Sequence, residues 1–335
     1  MTRNELTAIL TQISGTRIAV YGDFCLDAYW ILDDAGGEIS VETGYQAQAV
    51  RQHYYTLGGA SNVVANLAAL QPASISIVGI IGDDIFGREM LRQFDQLGID
   101  YKTLIISQNS FDTVVFGKRY LQGLEKPRID FGFFNQRSAA QEDQIITNLE
   151  QVLERNDVLI FNQQVPNTLS LRFIAQANRL FSDFARKIII VDSRHYGSEF
   201  HGTCRQTNEA EAAAFSQTPL KPGRHLSEKK LKAFARHWYS QLQKPIFITC
   251  GSGGLSLFDE LGFYQVPALQ LQKPLDPVGA GDTTVSALAG ALACGLSARV
   301  AAQFAVLAAA VTVQKLFQTG VAVPQEILDI YDQYF

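Results

Sequence analysis

The stretch DVLIFNQQVPNTLSLRFIAQANRLFSDFARKIIIVD, residues 157–192, reads as strand, helix, strand. Two short β-branched apolar runs, DVLIFN (157–162) and KIIIVD (187–192), flank a stretch with helical spacing over 168–183. Strands this continuously apolar are buried on both faces, which is the condition of a parallel sheet covered by helices. The same grammar recurs outward from this unit, in RIAVYG (17–22), SISIVGI (74–80) and PIFITCG (245–251). Helical spacing fills 59–70, 84–97, 141–155 and 226–243 between them. The expectation is an α/β protein: a three-layer domain with a central, mostly parallel sheet.

Two segments break that rhythm. Residues 33–55 and 108–134 carry alternating or aromatic patterns such as YQAQAV and TVVFGKRY, with turn signals at Gly36-Gly37 and Gly123. They predict a small β-rich lid, split in sequence and protruding from one edge of the sheet, while 1–32, 56–107 and 135–335 form the α/β body. The alternation of Tyr45, Ala47 and Ala49 suggests a lid face that needs cover. After Gly279 the chain reads as helical to its end, apart from a loop near Gln318 to Pro324.

Composition narrows the function classes. The 335 residues are 47% hydrophobic and 18% charged, which excludes a disordered or low-complexity chain. The formal charge is −5 and no basic run is present, so nucleic acid is not an expected partner. The most apolar region, 283–314, is interrupted by Gly290, Gly295, Arg299 and Gln303, so no membrane span is expected. The N-terminal MTRNELTAILTQISGTR lacks the apolar stretch of a secretory signal, and Cys25, Cys204, Cys250 and Cys294 form no CxxC pair; a cytoplasmic protein with reduced thiols is the expectation.

Five stretches offer chemistry. In DPVGAGDTTVSALAGALACG (276–295) a Gly-Ala-Gly turn opens a helix, leaving the amides of Ala280, Gly281 and Asp282 free for an anion, with the Asp282 carboxylate at the same mouth. That carboxylate suits a base for an attacking hydroxyl, and equally an ordinary N-cap. LGGASNVVANLAAL (57–70) places Gly58 and Gly59 for close backbone approach and Asn62 for sugar hydroxyls, or simply as a helix start. VYGDFCLDAYW (20–30) places Asp23 and Asp27 after a buried strand, where open α/β sheets bind ligands and two carboxylates can hold vicinal hydroxyls. In TNEAEAAAF (207–215), Asn208 and Glu211 also read as a capping box. TCGSGGLSLF (249–258) suits a phosphate loop or a plain tight turn. GxxxxGK[ST] and GxSxG are absent, and no GxGxxG follows the first strand, which disfavours a Walker-type NTPase, leaves nothing pointing to a serine hydrolase and removes the standard dinucleotide fingerprint.

Taken together and in order, these stretches resemble the ribokinase-like (PfkB-type) sugar kinases, from about Arg17 to Pro324, with GGASN and DPVGAGD matching the two signature regions. Within that family the chain looks most like the kinase domain of the bifunctional heptose-7-phosphate kinase/ADP-heptose synthases, through GDFCLDAYW, EISVETGYQAQAV, FGKRYLQGLEKPRIDF and VDSRHYG. The resemblance implies a stand-alone kinase that moves the γ-phosphoryl of ATP, with Mg²⁺, to a hydroxyl of a sugar or sugar phosphate. Carried over by position, it implies Asp282 as base, Gly279, Ala280 and Gly281 as anion hole, and Asp23, Asp27, Gly58, Gly59 and Asn62 as sugar ligands. Arg194, Asn208, Thr249, Gly251 and Gly254 then belong to the nucleotide, Glu211 to Mg²⁺ through water, and the lid to a homodimer. The chain departs from the heptose kinases at Glu38, Val41 and Gly44, where arginine and proline are usual, which argues against a phosphorylated heptose. Lys118, Arg119 and Arg128 remain as cations for a sugar phosphate or as solvent-facing lid charges. Val306 replaces a usual asparagine near the nucleotide base, and Pro277 a usual threonine. The alternatives are a ribokinase-type pentose or hexose kinase, a nucleoside kinase, or a sugar- or nucleotide-binding homologue without catalysis.

Overall fold

A computed structural model describes residues 1–33, 35–108, 111–215, 220–221, 224–316 and 318–335; residues 34, 109 and 110 of the expected lid segments lie outside the described residues. A nine-stranded sheet runs in the order β13-β12-β11-β10-β9-β8-β1-β4-β5. Its strands are β1 (Arg17–Gly22), β4 (Ser74–Gly82), β5 (Leu104–Ser107), β8 (Val158–Gln163), β9 (Ile188–Ser193), β10 (Cys204–Asn208), β11 (Ile246–Thr249), β12 (Leu255–Asp259) and β13 (Gly262–Val266). All neighbours are parallel except the hairpin edge, where β12 runs antiparallel to both β11 and β13.

The apolar runs work as the period of a strand requires. Ile18 and Val20 of β1, with Val158 and Ile160 of β8, face one core shared with α1 (Arg3–Ile13), α2 (Ala60–Leu70), α8 (Ala280–Ala293), α9 (Ala298–Thr312) and α10 (Pro324–Tyr334). Ala19, Tyr21, Leu159 and Phe161 alternate to the opposite core, closed by α4 (Ala139–Arg155) and α5 (Leu171–Asp183). The helices α6 (Glu209–Phe215) and α7 (Glu228–Leu242) cover the hairpin end, and α3 (Ile85–Gln96) the region beside β4. Among the described residues, no helix is long and apolar enough to cross a membrane. All four cysteines are free thiols.

A second sheet has the order β3-β2-β6-β7, formed by β2 (Phe24–Asp33), β3 (Ala49–Gly59), β6 (Val114–Leu121) and β7 (Leu124–Phe131). Its strands extend well outside the segment expected at 33–55. Asp27 therefore lies within a strand of this sheet rather than in a loop after β1, because GDFCLDAYW turns directly from β1 into β2. Only Asp23 separates the two strands, and its carbonyl accepts the Ala60 N–H at 3.1 Å, so the chain leaves and re-enters the main body at one point. Gly22 permits this crossing: a Cβ there would sit 2.2 Å from the Asn162 carbonyl oxygen. Gln122 and Gly123, both at positive φ, close the β6–β7 hairpin at the expected turn. Tyr45 and Ala47 do not form a strand face; a single bridge pairs Ile39 with Gln46, and Tyr45 is exposed.

Candidate active site

The carboxyl ends of β8, β9, β10 and β11, the first turn of α8 and the inner face of the second sheet enclose a cavity of about 330 Å³. This is the crevice at strand carboxyl ends where open α/β sheets bind ligands. Asp282 stands at its wall in the first turn of α8. Enclosure by protein pushes its carboxyl up to about 7, and a hydrogen bond from Asn62 Nδ2, 2.7 Å from Oδ2, opposes that rise. Asn62 is itself fixed from below: Asn66 Nδ2 donates to the Asn62 carbonyl at 2.9 Å, and Thr283 Oγ1 donates to Asn66 Oδ1 at 2.7 Å. A polar ladder thus ties α2 to α8 directly beneath the carboxylate.

The turn preceding Asp282 supplies free donors. Gly279 adopts the left-handed conformation (φ 79°), and a Cβ there would come within 3.0 Å of Asn62 Nδ2. Among the described residues the Ala280 amide is used by the Pro277 carbonyl at 3.1 Å, whereas the amides of Gly281 and Asp282 have no acceptor. Of the three amides expected to face an anion, those of Gly281 and Asp282 are thus left unused, while Ala280 holds the turn.

The other expected residues divide. Asp27, Gly59, Arg194, Asn208, Glu211 and Thr249 line the cavity with Gly279, Gly281 and Asp282. Asp23 does not: its Oδ1 accepts from Arg137 and its Oδ2 accepts the backbone amides of Gln164 and Val165 at 2.8 and 2.9 Å, so both oxygens serve the fold. Gly58 sits behind Asp27, where a Cβ would meet the carboxylate at 3.0 Å. Gly251 and Gly254 form the tight turn between β11 and β12, and Gly254 (φ 89°) has no room for a Cβ against the Val266 carbonyl oxygen. Asn208 and Glu211 make the reciprocal capping box in full, with Asn208 N–H to Glu211 Oε2 at 3.1 Å and Glu211 N–H to Asn208 Oδ1 at 2.9 Å. Glu211 Oε1 remains on the cavity side, 3.8 Å from Arg194 Nε. Val306 is buried within α9, packed in the core.

Lys118 is not a solvent-facing lid charge. It is buried, its ammonium 2.9 Å from Asp27 Oδ2 and 3.1 Å from the Tyr29 hydroxyl. Burial pushes the Asp27 carboxyl up while Lys118 pulls it back, and the partners raise the lysine in return. Arg128 also reaches the cavity, stacked 4.4 Å over the Phe116 ring and paired with Asp130; Arg119 instead caps the Pro127 carbonyl. Glu38, Val41 and Gly44 are exposed and contribute nothing to the wall.

Sequence reasoning missed Asp192. It lies at the end of β9, lines the cavity, and accepts from Asn162 Nδ2 at 2.8 Å. Burial first, then the nearby Glu211 and Asp282 carboxylates, hold its carboxyl well above the usual range, with Arg194 opposing. The available signal was an aspartate at the carboxyl end of a buried strand, two residues before the arginine already singled out.

Comparison with known proteins bears on the fold and the family. The sequence is 29% identical over 313 residues to the bifunctional protein HldE of Wolinella succinogenes, covering 92% of this chain and 63% of that protein. It is 30% identical over 321 residues to the bifunctional protein HldE of Desulfatibacillum aliphaticivorans, covering 94% and 63%. The chain thus spans less than two thirds of the length of these relatives. Among solved structures, phosphofructokinase-2 of Escherichia coli in complex with potassium superposes with a TM-score of 0.73 at 16% identity, covering 95% of this chain and 99% of that one. The Arabidopsis thaliana ribokinase complexed with ribose and ATP gives 0.71 at 17% identity, covering 94% and 98%. At such identities the likeness is one of fold. The model of the pfkB family carbohydrate kinases matches residues 16–324. A ribokinase-like body, a cavity at its strand ends, and a family match over nearly the whole chain lead to one conclusion: the protein belongs to the pfkB family of carbohydrate kinases.

Proposed function

We propose that the chain transfers the γ-phosphoryl group of ATP to a hydroxyl of a sugar or sugar phosphate, with Asp282 as general base. The observation that carries this is the meeting, in one cavity, of a carboxyl pushed up to about 7 and two helix-start amides without an acceptor. A base poised near neutral pH combines a useful ionised fraction with strong proton affinity. Asn62 orients the carboxylate, so Asp282 takes the hydroxyl proton as the oxygen attacks phosphorus, while the amides of Gly281 and Asp282 receive charge on the phosphoryl oxygens. Arg194 neutralises the donor's phosphates from the β9 side, and Thr249 and Asn208 line the same end.

The second sheet supplies the acceptor side. Asp27 presents a carboxylate for sugar hydroxyls, with Lys118 balancing its charge, and Arg128 stands on Phe116 at the same wall. Binding energy from these contacts, drawn from two separate sheets, expels water and aligns the hydroxyl with Asp282. Resemblance to the heptose-phosphate kinases places heptose phosphates among the acceptors to be tried beside pentoses, hexoses and nucleosides.

The residues present fit Mg²⁺ held through water. Asp192, Glu211 and Asp282 line one cavity, and the Asp192 carboxyl, raised first by burial and then by the other two carboxylates, is one that a divalent cation would draw back toward its ionised form. Among the described residues no three such groups form a direct ligand cluster. Glu211 Oε1 and Asp192 would hold the ion's waters. When bound, the ion supplies charge neutralisation to the phosphates.

The test is a panel of aldoses, ketoses, heptose phosphates and nucleosides with ATP and Mg²⁺, read as ADP release, run beside Asp282→Asn. Transfer to at least one sugar, lost in the variant, is expected. Calorimetric binding without product across the panel would favour a non-catalytic binding protein, and near-normal turnover by Asp282→Asn would remove the base.

A further inference from the structure

The same strands whose carboxyl ends hold the active site begin at a second cavity. It measures about 250 Å³ and lies at the amino ends of β9, β10 and β11, between the turn joining α8 to α9 and the turn joining β12 to β13. A six-residue strand such as β9 puts roughly 20 Å between the two sites, so this cavity is not an extension of the first.

Its lining is mixed in a specific way. Ile189, Leu292 and Ala298 give it an aliphatic floor, while Arg186, Lys187 and Lys244 bring three cations against the single carboxylate of Glu260. In a chain of net charge −5 that is a local reversal of sign. Lys187 Nζ donates to the Asn156 carbonyl at 2.8 Å and lies near the Asp157 carboxylate, which is itself paired with Arg17, while Lys244 Nζ reaches the Ala185 carbonyl only at 3.5 Å. Each ammonium keeps two protons unused by these bonds. Arg186 is exposed and, among the described residues, has no acceptor or ion-pair partner. Glu260 stands next to Asp259, the bidentate partner of Arg299, and is one carboxylate against three cations in the lining.

We propose that this cavity binds a small phosphorylated metabolite, one phosphate on a compact carbon body. The phosphate would meet Arg186 and the two lysines, and the carbon body the aliphatic floor. At about 30 Å³ per water the space equals roughly eight waters, enough for a phosphate on a compact carbon body. Leu292 sits in the last turns of α8, the helix whose first turn carries Asp282, so an occupant packs against the far end of the catalytic helix.

The proposal is independent of the kinase reading and is tested by binding alone. Inorganic phosphate and ribose 5-phosphate are titrated into the full chain, followed by the backbone amide signals of Gly202 and Leu296, both at this cavity. Saturable shifts are expected at millimolar concentration or below, with ribose 5-phosphate the tighter ligand and affinity falling as salt rises. They persist in Arg194→Ala, which disables the phosphate wall of the other cavity. They weaken about tenfold in Arg186→Ala and more in Arg186→Glu, the loss expected for one charge-assisted contact. Arg186 is exposed and unpartnered, so both variants keep the fold. No saturable shift at these amides overturns the proposal. So does a shift that vanishes with Arg194→Ala or survives Arg186→Glu unchanged.

Discussion

Removing the Asn62 amide tests whether Asp282 is the titrating base. In the wild type, burial raises the Asp282 carboxyl to about 7 while the 2.7 Å hydrogen bond from Asn62 Nδ2 restrains it. A hydrogen bond to a charged group contributes about 1.5–3 kcal/mol, and ~1.4 kcal/mol corresponds to one pH unit. Asn62→Ala therefore moves the acidic limb of the kcat/KM profile up by roughly one to two units, to a midpoint about 8–9. At neutral pH the ionised fraction falls from near one half to roughly one tenth or less, and the rate falls with it. Above the new midpoint the rate recovers. Folding survives because Asn66 keeps the Asn62 backbone carbonyl as acceptor, and α2 remains pinned through Ser286 Oγ donating to the Val63 carbonyl. The assay is ADP release from pH 5.5 to 10 with the acceptor found in the panel, alongside the ¹³C signal of the Asp282 carboxyl in the free protein. A rate lowered equally at every pH, with the carboxyl titration unmoved, would refute the assignment.

Asp282→Asn lowers transfer by about 10²–10⁴ through loss of the base. Its stability moves the other way: a carboxyl raised in the folded state costs stability as pH climbs from the unfolded value of about 4 through about 7. The melting temperature of the variant relative to wild type should thus rise between pH 5 and pH 8, and a constant difference would mean that Asp282 does not titrate there. Lys118→Met strands the buried Asp27 carboxylate and should cost about 3–5 kcal/mol in urea unfolding, most of it restored by adding Asp27→Asn; equal losses in the single and double variants would show that the pair is not coupled. The homodimer expected through the lid is tested at the exposed Ile39, Val41 and Tyr45 between β2 and β3: sedimentation at micromolar concentration should give a dimer that Val41→Asp weakens, and a monomer throughout would reject it. Glu211→Gln should raise the Mg²⁺ concentration needed for half-maximal rate while leaving the capping box in place, and an unchanged requirement would separate Glu211 from the metal.

The parts legible in the sequence are those set by local chemistry. Continuous β-branched runs have no stable setting except a sheet covered on both faces, so RIAVYG and DVLIFN announce the body, and their alternate residues do divide between two cores. The Gly-Ala-Gly turn announces its helix start because only glycine tolerates the conformation at Gly279 beside Asn62. Pairings between distant segments were not legible in the same way. Asp23 and Asp27 look equivalent in GDFCLDAYW, yet Arg137 and the amides of Gln164 and Val165, more than a hundred residues downstream, occupy the first and leave the second on the cavity wall. Lys118 reads as a lid surface charge until β6 is laid parallel to β2, opposite Tyr29, which brings its ammonium onto Asp27. Asp192 needed both kinds of knowledge: its place at a strand end is local, but its raised carboxyl depends first on the burial that the assembled fold imposes and then on Glu211 and Asp282 arriving from elsewhere. A motif thus specifies which side chains are offered to the site, and the sheet register decides which of them remain free to act once their long-range partners are in place.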